Sequence, residues 1–315
     1  MSEFNLPQSV TAFAPASVGN VAVGFDLLGH AIDGPGDQVT VRRAAPGSGM
    51  SIRAIRGADA ALPDKPTENT AGRALLALCV ALDLPDDFEI EIDKGIPLAS
   101  GLGGSAASAV AAVVAANRLL SLDWPPERLY PYALAGEAVA SGAAHGDNVG
   151  PQLLGGLVLA TPDRLLPIPV PGNLYAVAVH PDHRVNTRDA RRCLETPFEL
   201  GVIVRQSSNL ALVLEGCHRG DFELIRAGLN DVMVEPRRAA LIPGFLAVKH
   251  AALQADALGA SISGAGPTVF AWFDSLAGAT VAGADMVEAF TSAGKTARAH
   301  VTPVAARGAR VISSK

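Results

Sequence analysis

Cysteine is scarce in this 315-residue sequence, and the few cysteines present are not arranged for a structural role. Cys79, Cys193 and Cys217 are odd in number, far apart and without C-x-x-C spacing. This pattern argues against a disulfide framework and against a zinc site, and it suits a reducing compartment.

Positively charged residues are also few: the sequence has 25 Lys and Arg against 31 Asp and Glu, which gives a formal net charge of -6. A chain of this kind has no general basic face for nucleic acid. Apolar runs of the ~18 residues that a membrane span needs are absent as well. Residues 1–7 carry an acid and a proline where a signal peptide has a basic and then an apolar region. We therefore expect a cytoplasmic protein with neither nucleic acid nor membrane as partner.

Hydrophobic residues, by contrast, make up 49% of the chain and charged residues 18%, which is typical of a well-buried globular protein. The length favours two domains over one core. Prolines cluster just after Leu165, at 167, 169 and 171, and predict a domain edge there. We therefore expect domains at residues 1–165 and 166–315.

Strand and helix patterns alternate through both halves, which predicts an α+β or α/β fold. Expected strands lie at 10–14, 38–43, 51–55, 88–92, 174–179, 269–273 and 297–304. Expected helices lie at 69–82, 109–116, 125–144, 187–194, 202–214, 222–233, 245–257 and 278–293. Residues 15–29 are predicted as a loop, and residues 145–156 as a polar cluster leading into a strand.

The densest glycine segment runs from Pro97 to Ser108 and is followed at once by the alanine-rich helix. Unpaired N–H groups at such a helix start favour an anion such as phosphate. A turn capped by Ser105 is an equally good interpretation on these residues alone. Context excludes two other phosphate motifs, because residues 101–106 lack a strand directly before the first glycine and residues 289–296 end a helix.

Several polar residues stand out against their surroundings. Glu137 lies among small residues, so it requires a metal ion or cation as partner unless its helix face is turned to water. Asn20 and Asp26 either serve a site or cap turns. Arginines lie at 188, 191 and 192 and again at 237 and 238, and they are either solvated or include two that converge on a carboxylate, for which the guanidinium fork is suited.

Five blocks, in the same order along the chain, resemble the GHMP small-molecule kinases. Residues 97–107 and 261–268 are similar to the two glycine motifs of that superfamily, and residues 16–29, 145–151 and 235–245 resemble its homoserine kinases. The resemblance implies a two-domain α+β fold, with a mixed α/β N-terminal domain and a C-terminal α/β sandwich containing an antiparallel sheet.

The activity that the resemblance implies is phosphorylation of the side-chain hydroxyl of L-homoserine, in threonine biosynthesis, with ATP and Mg²⁺ as cofactors. A kinase for another metabolite such as mevalonate, and a catalytically silent binding protein, are the alternatives. The oligomeric state is left open, a homodimer being one option.

The same resemblance assigns roles residue by residue. Nucleotide binding is assigned to Asn69, Pro97, Ser100, Gly101, Leu102, Gly103, Gly104, Ser105 and Ala106. Substrate binding is assigned to Asn20, Asp26, His145, Asn148, Arg191, Arg238 and Gly264. Ser105 and Glu137 would hold Mg²⁺ and, with Asp147 and Asn148, make up the catalytic set.

Two positions depart from or complicate the family pattern. Gly104 stands where the glycine motif commonly has a serine, so one hydroxyl contact is missing. Asn148 falls where several GHMP kinases carry an aspartate base, and an amide cannot accept the proton. We therefore expect catalysis by positioning and charge stabilisation, with a base role for Asp147 left open.

Overall fold

The computed structural model of the chain describes residues 7–142 and 144–315. Its strands are β1 (Ser9–Gly19), β2 (Leu28–Arg43), β3 (Ser51–Arg56), β4 (Phe88–Asp93), β5 (Leu157–Ala160), β6 (Leu165–Ile168), β7 (Tyr175–Pro181), β8 (Gly259–Ile262), β9 (Val269–Phe273), β10 (Ala297–Pro303) and β11 (Arg310–Ser314). Its helices are α1 (Thr70–Leu82), α2 (Gly104–Leu119), α3 (Pro126–Ser141), α4 (Gly146–Leu154), α5 (Thr187–Arg192), α6 (Leu200–Arg219), α7 (Phe222–Gly228), α8 (Glu235–Arg238), α9 (Phe245–Gln254) and α10 (Leu276–Ser292).

The first sheet is mixed and runs in the order β11-β1-β2-β4-β3, with β5 added to β2 and β6 to β5. Only β3 and β4 pair in parallel among these neighbours of the described chain. In β4 the side chains of Phe88, Ile90 and Ile92 face the core while the acidic residues between them are less buried, as the alternating pattern predicts. The buried alanines of α2 let this helix lie close against β1 and β2.

The second sheet is antiparallel, in the order β10-β7-β9-β8, and is packed against α9 and α10. Its strand β9 is buried on both faces. Phe270 and Trp272 join the core of the first sheet, whereas Val269, Ala271 and Phe273 join a second core under α9 and α10. The predicted α+β class, with one mixed and one antiparallel sheet, is therefore confirmed.

Four local predictions need correction. The 15–29 loop is shorter than expected because β1 continues to Gly19 and β2 begins at Leu28, and the residues they add are buried in pairing. The cluster at 145–156 forms helix α4 instead of leading directly into a strand. Helix α7 ends at Gly228, where a side chain would meet the carbonyl oxygen of Asn209 at 2.6 Å. Strands β6, β8 and β11 were not expected.

The domain boundary at 165/166 remains a prediction, but two pairings bear on it. Strand β6 begins at Leu165 and pairs with β5, and β11 returns from the second sheet to pair with β1. Pro167 is compatible with β6 because that strand lies at the edge of the sheet. Among the helices described, none combines the length and apolar character that crossing a membrane requires.

Candidate active site

A cleft of about 360 Å³ brings together the two glycine motifs, the start of α1, the end of α3 and the loop between β1 and β2. It is lined by the predicted residues Asn20, Asp26, Asn69, Pro97, Ser100, Gly101, Gly103, Gly104, Ser105, Glu137, His145, Asp147, Asn148, Arg191, Arg238 and Gly264. The other two predicted residues, Leu102 and Ala106, have fully buried side chains and are not part of the lining.

The turn of the first glycine motif, which we call the glycine turn, requires glycine at two positions. Gly103 is the N-cap of α2, with φ of 71°, and a Cβ there would lie 2.5 Å from Ser17 Oγ and 2.8 Å from Asn148 Oδ1. Gly101 has φ of 79°, and its Cβ would lie 2.5 Å from the carbonyl oxygen of Ser263. No side chain caps α2, so a cap by Ser105 is not what opens this helix. The start of α2 is thus available to an anion.

The second glycine motif holds the first one in place. The hydroxyl of Ser263 donates to the carbonyl of Gly101 at 2.7 Å, and that of Thr268 donates to the carbonyl of Ser100 at 2.7 Å. The turn between them is fixed in turn by the N–H of Gly264, which donates to the carbonyl of Gly19 at 3.1 Å. Residues more than 160 positions apart therefore form one wall of the cleft.

Glu137 meets the start of α2 from α3. Its side chain is 8% exposed and hydrogen-bonded with Ser105. Burial raises the pKa of the Glu137 carboxyl to about 7, an effect opposed by the Ser105 hydrogen bond and reinforced by the charge of Asp147. Mg²⁺ prefers oxygen ligands, commonly one or two carboxylates completed by phosphate oxygens and water. The hydroxyl of Ser105 and the carboxylate of Glu137 fit that donor set.

A buried ion pair between Lys94 and Asp37, next to the glycine turn, was not predicted from the sequence. Lys94 Nζ contacts the carboxylate of Asp37 and also donates to the carbonyl of Gly104 at 2.6 Å and to Ser108 Oγ at 3.0 Å. Its position three residues before Pro97, between β4 and the turn, was the available signal. The pair ties the first turn of α2 to β2.

At the other end of the cleft, Asp26 is the centre of a charged cluster. Arg191 donates to both carboxylate oxygens of Asp26, at 3.0 and 3.2 Å, and His145 Nδ1 lies 3.2 Å from one of them. The backbone N–H of Asp26 donates to Asn20 Oδ1 at 2.9 Å. Burial lowers the pKa of His145, while the charge of Asp26 opposes that shift.

Arg238 lies at the same end of the cleft as Arg191. Its side chain is 2% exposed and donates to the carbonyls of Ala190 at 3.0 Å and Gly264 at 3.1 Å. Burial is the main cause that lowers its pKa, and the charge of Arg191 adds to it. Both guanidinium carbons lie over the ring of Phe25, at 5.3 Å for Arg238 and 5.7 Å for Arg191.

Asp147 and Asn148 lie on the first turn of α4, between the two ends of the cleft. Asp147 accepts a hydrogen bond from the backbone N–H of Asn20 at 3.1 Å, and burial raises its pKa to about 7, with the charge of Asp26 adding to the shift. Asn148 Oδ1 accepts a hydrogen bond from Ser17 Oγ at 2.9 Å. Ser17, and Gln152 behind it, were not identified from the sequence.

Asn69 caps α1 as predicted, because its Oδ1 accepts from the N–H groups of Ala71 at 3.0 Å and Gly72 at 3.4 Å. Its Nδ2 donates to the carbonyl of Pro63 at 2.9 Å. Leu62 and Val139 line the cleft beside it, giving this end an apolar wall.

Comparison with known proteins agrees with these features. Residues 69–156 match the model of the GHMP kinases N terminal domain, and residues 213–291 match that of the GHMP kinases C terminal domain. A homoserine kinase from Xylella fastidiosa is 59% identical over 301 residues, covering 96% of this chain and 93% of that protein.

Two solved structures are also similar. The crystal structure of homoserine kinase from Cytophaga hutchinsonii superposes with a TM-score of 0.94 at 42% identity and covers 99% of this chain and 100% of that one. L. major mevalonate kinase in complex with R-mevalonate has a TM-score of 0.66 at 16% identity, covering 95% of this chain and 98% of that one, and thus shares the fold alone.

Proposed function

The chain belongs to the GHMP kinase family, and on that premise we propose that it is a homoserine kinase, transferring the γ-phosphoryl group of ATP to the side-chain hydroxyl of L-homoserine. The product is O-phospho-L-homoserine, on the way to threonine. The observation that carries this proposal is the charged cluster of Asp26, Arg191 and Arg238 in the same cleft as the glycine turn.

The charged cluster is suited to a zwitterion. In the structure Arg191 is paired with Asp26, so a ligand that takes one of them must leave the other without its partner. An amino acid offers an α-carboxylate to the arginines and an α-ammonium to the carboxylates, and it can therefore replace both halves of the pair. Mevalonate has a carboxylate and no ammonium group, so it would take Arg191 from Asp26 without supplying a cation in its place. We assign Asn20, His145 and Gly264 to the same substrate site.

The nucleotide end follows from the glycine turn. We assign the triphosphate to the backbone of Gly101 to Ser105 at the start of α2, and the base to the apolar wall near Asn69. Pro97, Ser100, Leu102 and Ala106 then shape the turn. Ser105 and Glu137 would hold Mg²⁺, which when bound neutralises charge on the phosphate oxygens.

The transfer step relies chiefly on positioning. The amide of Asn148 cannot take the proton of the substrate hydroxyl. Asp147 has a pKa of about 7 and lines the cleft, so it could accept a proton near neutral pH. Charge stabilisation around the phosphoryl group supplies the rest.

A coupled ADP-release assay tests the proposal with L-homoserine, L-serine, mevalonate and galactose as acceptors. We expect L-homoserine to have the highest kcat/KM. Arg238→Ala should reduce kcat/KM for L-homoserine by at least about a hundredfold, because a desolvated charged contact to the carboxylate is lost. Arg237→Ala is the matched control, since Arg237 instead stacks on Phe198 at 3.5 Å and donates to backbone carbonyls. Faster turnover of mevalonate than of L-homoserine would overturn the assignment.

A further inference from the structure

Asn148 occupies the position at which a proton acceptor was expected, so the direction in which its amide points decides what it can do. The amide offers an acceptor oxygen on one side and two N–H donors on the other. Three buried or half-buried groups lead from the glycine turn to this side chain, and together they determine which side faces the cleft.

Gly103, Gln152, Ser17 and Asn148 form a chain of hydrogen bonds, here called the relay. It begins at the carbonyl oxygen of Gly103, a group that can only be an acceptor. The terminal nitrogen of Gln152 donates to that oxygen at 2.9 Å, and a carbonyl can only accept. This contact fixes the orientation of the fully buried Gln152 amide. The Gln152 Oε1 that points away makes no hydrogen bond within the described chain, which fits an orientation imposed by Gly103.

Ser17 links the oriented Gln152 amide to Asn148. The same Gln152 Nε2 donates to Ser17 Oγ at 3.0 Å, so the serine oxygen is an acceptor there and its own hydrogen is left for another group. In the structure that hydrogen goes to Asn148, whose Oδ1 accepts it from Ser17 Oγ at 2.9 Å. None of the hydrogen bonds among residues 7–142 and 144–315 uses Asn148 Nδ2, and Asn148 lines the cleft.

We propose that Gln152 and Ser17 are positioning residues that hold the Asn148 amide with its NH₂ group toward the cleft, as a hydrogen-bond donor to a substrate or phosphate oxygen. The inference rests on the proposed function for what is bound, but the orientation itself concerns only this chain. It also links the phosphate turn to α4, because a single side chain, Gln152, contacts both Gly103 and the serine that orients Asn148.

A double-mutant cycle in the full chain tests the relay, using the ADP-release assay with ATP and L-homoserine. Ser17→Ala should lower kcat about tenfold and leave both KM values within about threefold. In an Asn148→Ala background the same change should alter kcat by less than twofold, because Ser17 acts through Asn148. Thr11→Ala is the matched control, since it removes another β1 hydroxyl, one bonded to Thr40 at 2.8 Å outside the cleft, and should leave kcat unchanged.

Side-chain amide NMR gives a readout that needs no turnover. The NH₂ resonances of Asn148, assigned by their loss in Asn148→Ala, should shift in Ser17→Ala and in Gln152→Met but not in Thr11→Ala. Unshifted resonances in Ser17→Ala, or an equal kcat loss from Ser17→Ala in both backgrounds, would overturn the relay. Absence of any turnover of L-homoserine by the unmodified protein would instead overturn the proposed function, and the NMR result would still decide the relay.

Discussion

Replacing Glu137 by glutamine should stabilise the fold and, in the same variant, strongly reduce phosphoryl transfer. The carboxyl of Glu137 has a pKa of about 7 in the folded protein against 4.5 as its ordinary value, because it is buried. A group whose folded-state pKa is raised contributes stability below its unfolded pKa and loses that contribution as the pH rises through the folded value. Above pH 7 the wild-type protein must therefore hold a desolvated charge.

The size of the effect follows from the two pKa values. Each pKa unit of difference corresponds to about 1.36 kcal/mol. The charged Glu137 side chain therefore destabilises the folded protein by about 3 kcal/mol at pH 8, and by about 1 kcal/mol at pH 5. Glutamine is neutral at both values and can still accept the hydrogen bond from Ser105. Glu137→Gln should accordingly raise the free energy of unfolding by these amounts, and the loss of the proposed Mg²⁺ ligand should lower kcat by at least about a hundredfold.

Urea unfolding of both proteins at pH 8 and pH 5, without Mg²⁺ or nucleotide, measures the effect. Glu235→Gln is the matched control, because Glu235 is also 8% exposed and also bonded to a serine, Ser261, at 2.7 Å, but is paired with Lys249 at 2.5 Å. That substitution should destabilise the fold, since it leaves Lys249 without its partner. Equal stability of wild type and Glu137→Gln at both pH values would refute the reasoning, as would full activity of the variant.

Two other substitutions are informative. Lys94→Met should lower the free energy of unfolding by about 3–5 kcal/mol, because it leaves the fully buried Asp37 without its cation. Urea unfolding measures this loss, and adding Asp37→Asn should restore part of it. A loss below about 1 kcal/mol would contradict the expectation. Asn148→Asp should lower kcat more than about a hundredfold across a pH–rate profile, because an amide donor becomes an anion facing the transferring phosphoryl group. A kcat above that of the wild type would contradict this prediction and identify position 148 as a proton acceptor.

Features determined by neighbouring residues were predictable from the sequence. Asn69 caps α1 through N–H groups two and three positions ahead, and β4 shows its alternation within six residues. The glycine turn and the helix after it are likewise contained in one segment. Such features depend on backbone geometry and on side chains within a turn or two, so a pattern in one window is sufficient.

Features determined by distant packing were not predictable in this way. Helix α4 contains Gly146, Gly150 and Pro151, which weaken helix propensity, but its inner face is buried against β1, β2 and β5. Strand β11 is largely exposed and exists through its pairing with β1, in which Val10 lies opposite Ser314. Arg191 and Asp26 are 165 positions apart, so their bidentate pair became visible only once the chain was folded.

The amide of Asn148 shows why the identity of a residue is not enough to assign its chemistry. From the sequence, an asparagine at this position only excludes a base. In the arrangement we propose, whether it donates or accepts toward the cleft depends on Gln152 and Ser17, and ultimately on the carbonyl of Gly103. On this proposal, the turn assigned to the phosphates also orients a side-chain donor toward the same cleft. Since both depend on the conformation at Gly103, a change in the phosphate turn should alter binding and transfer together.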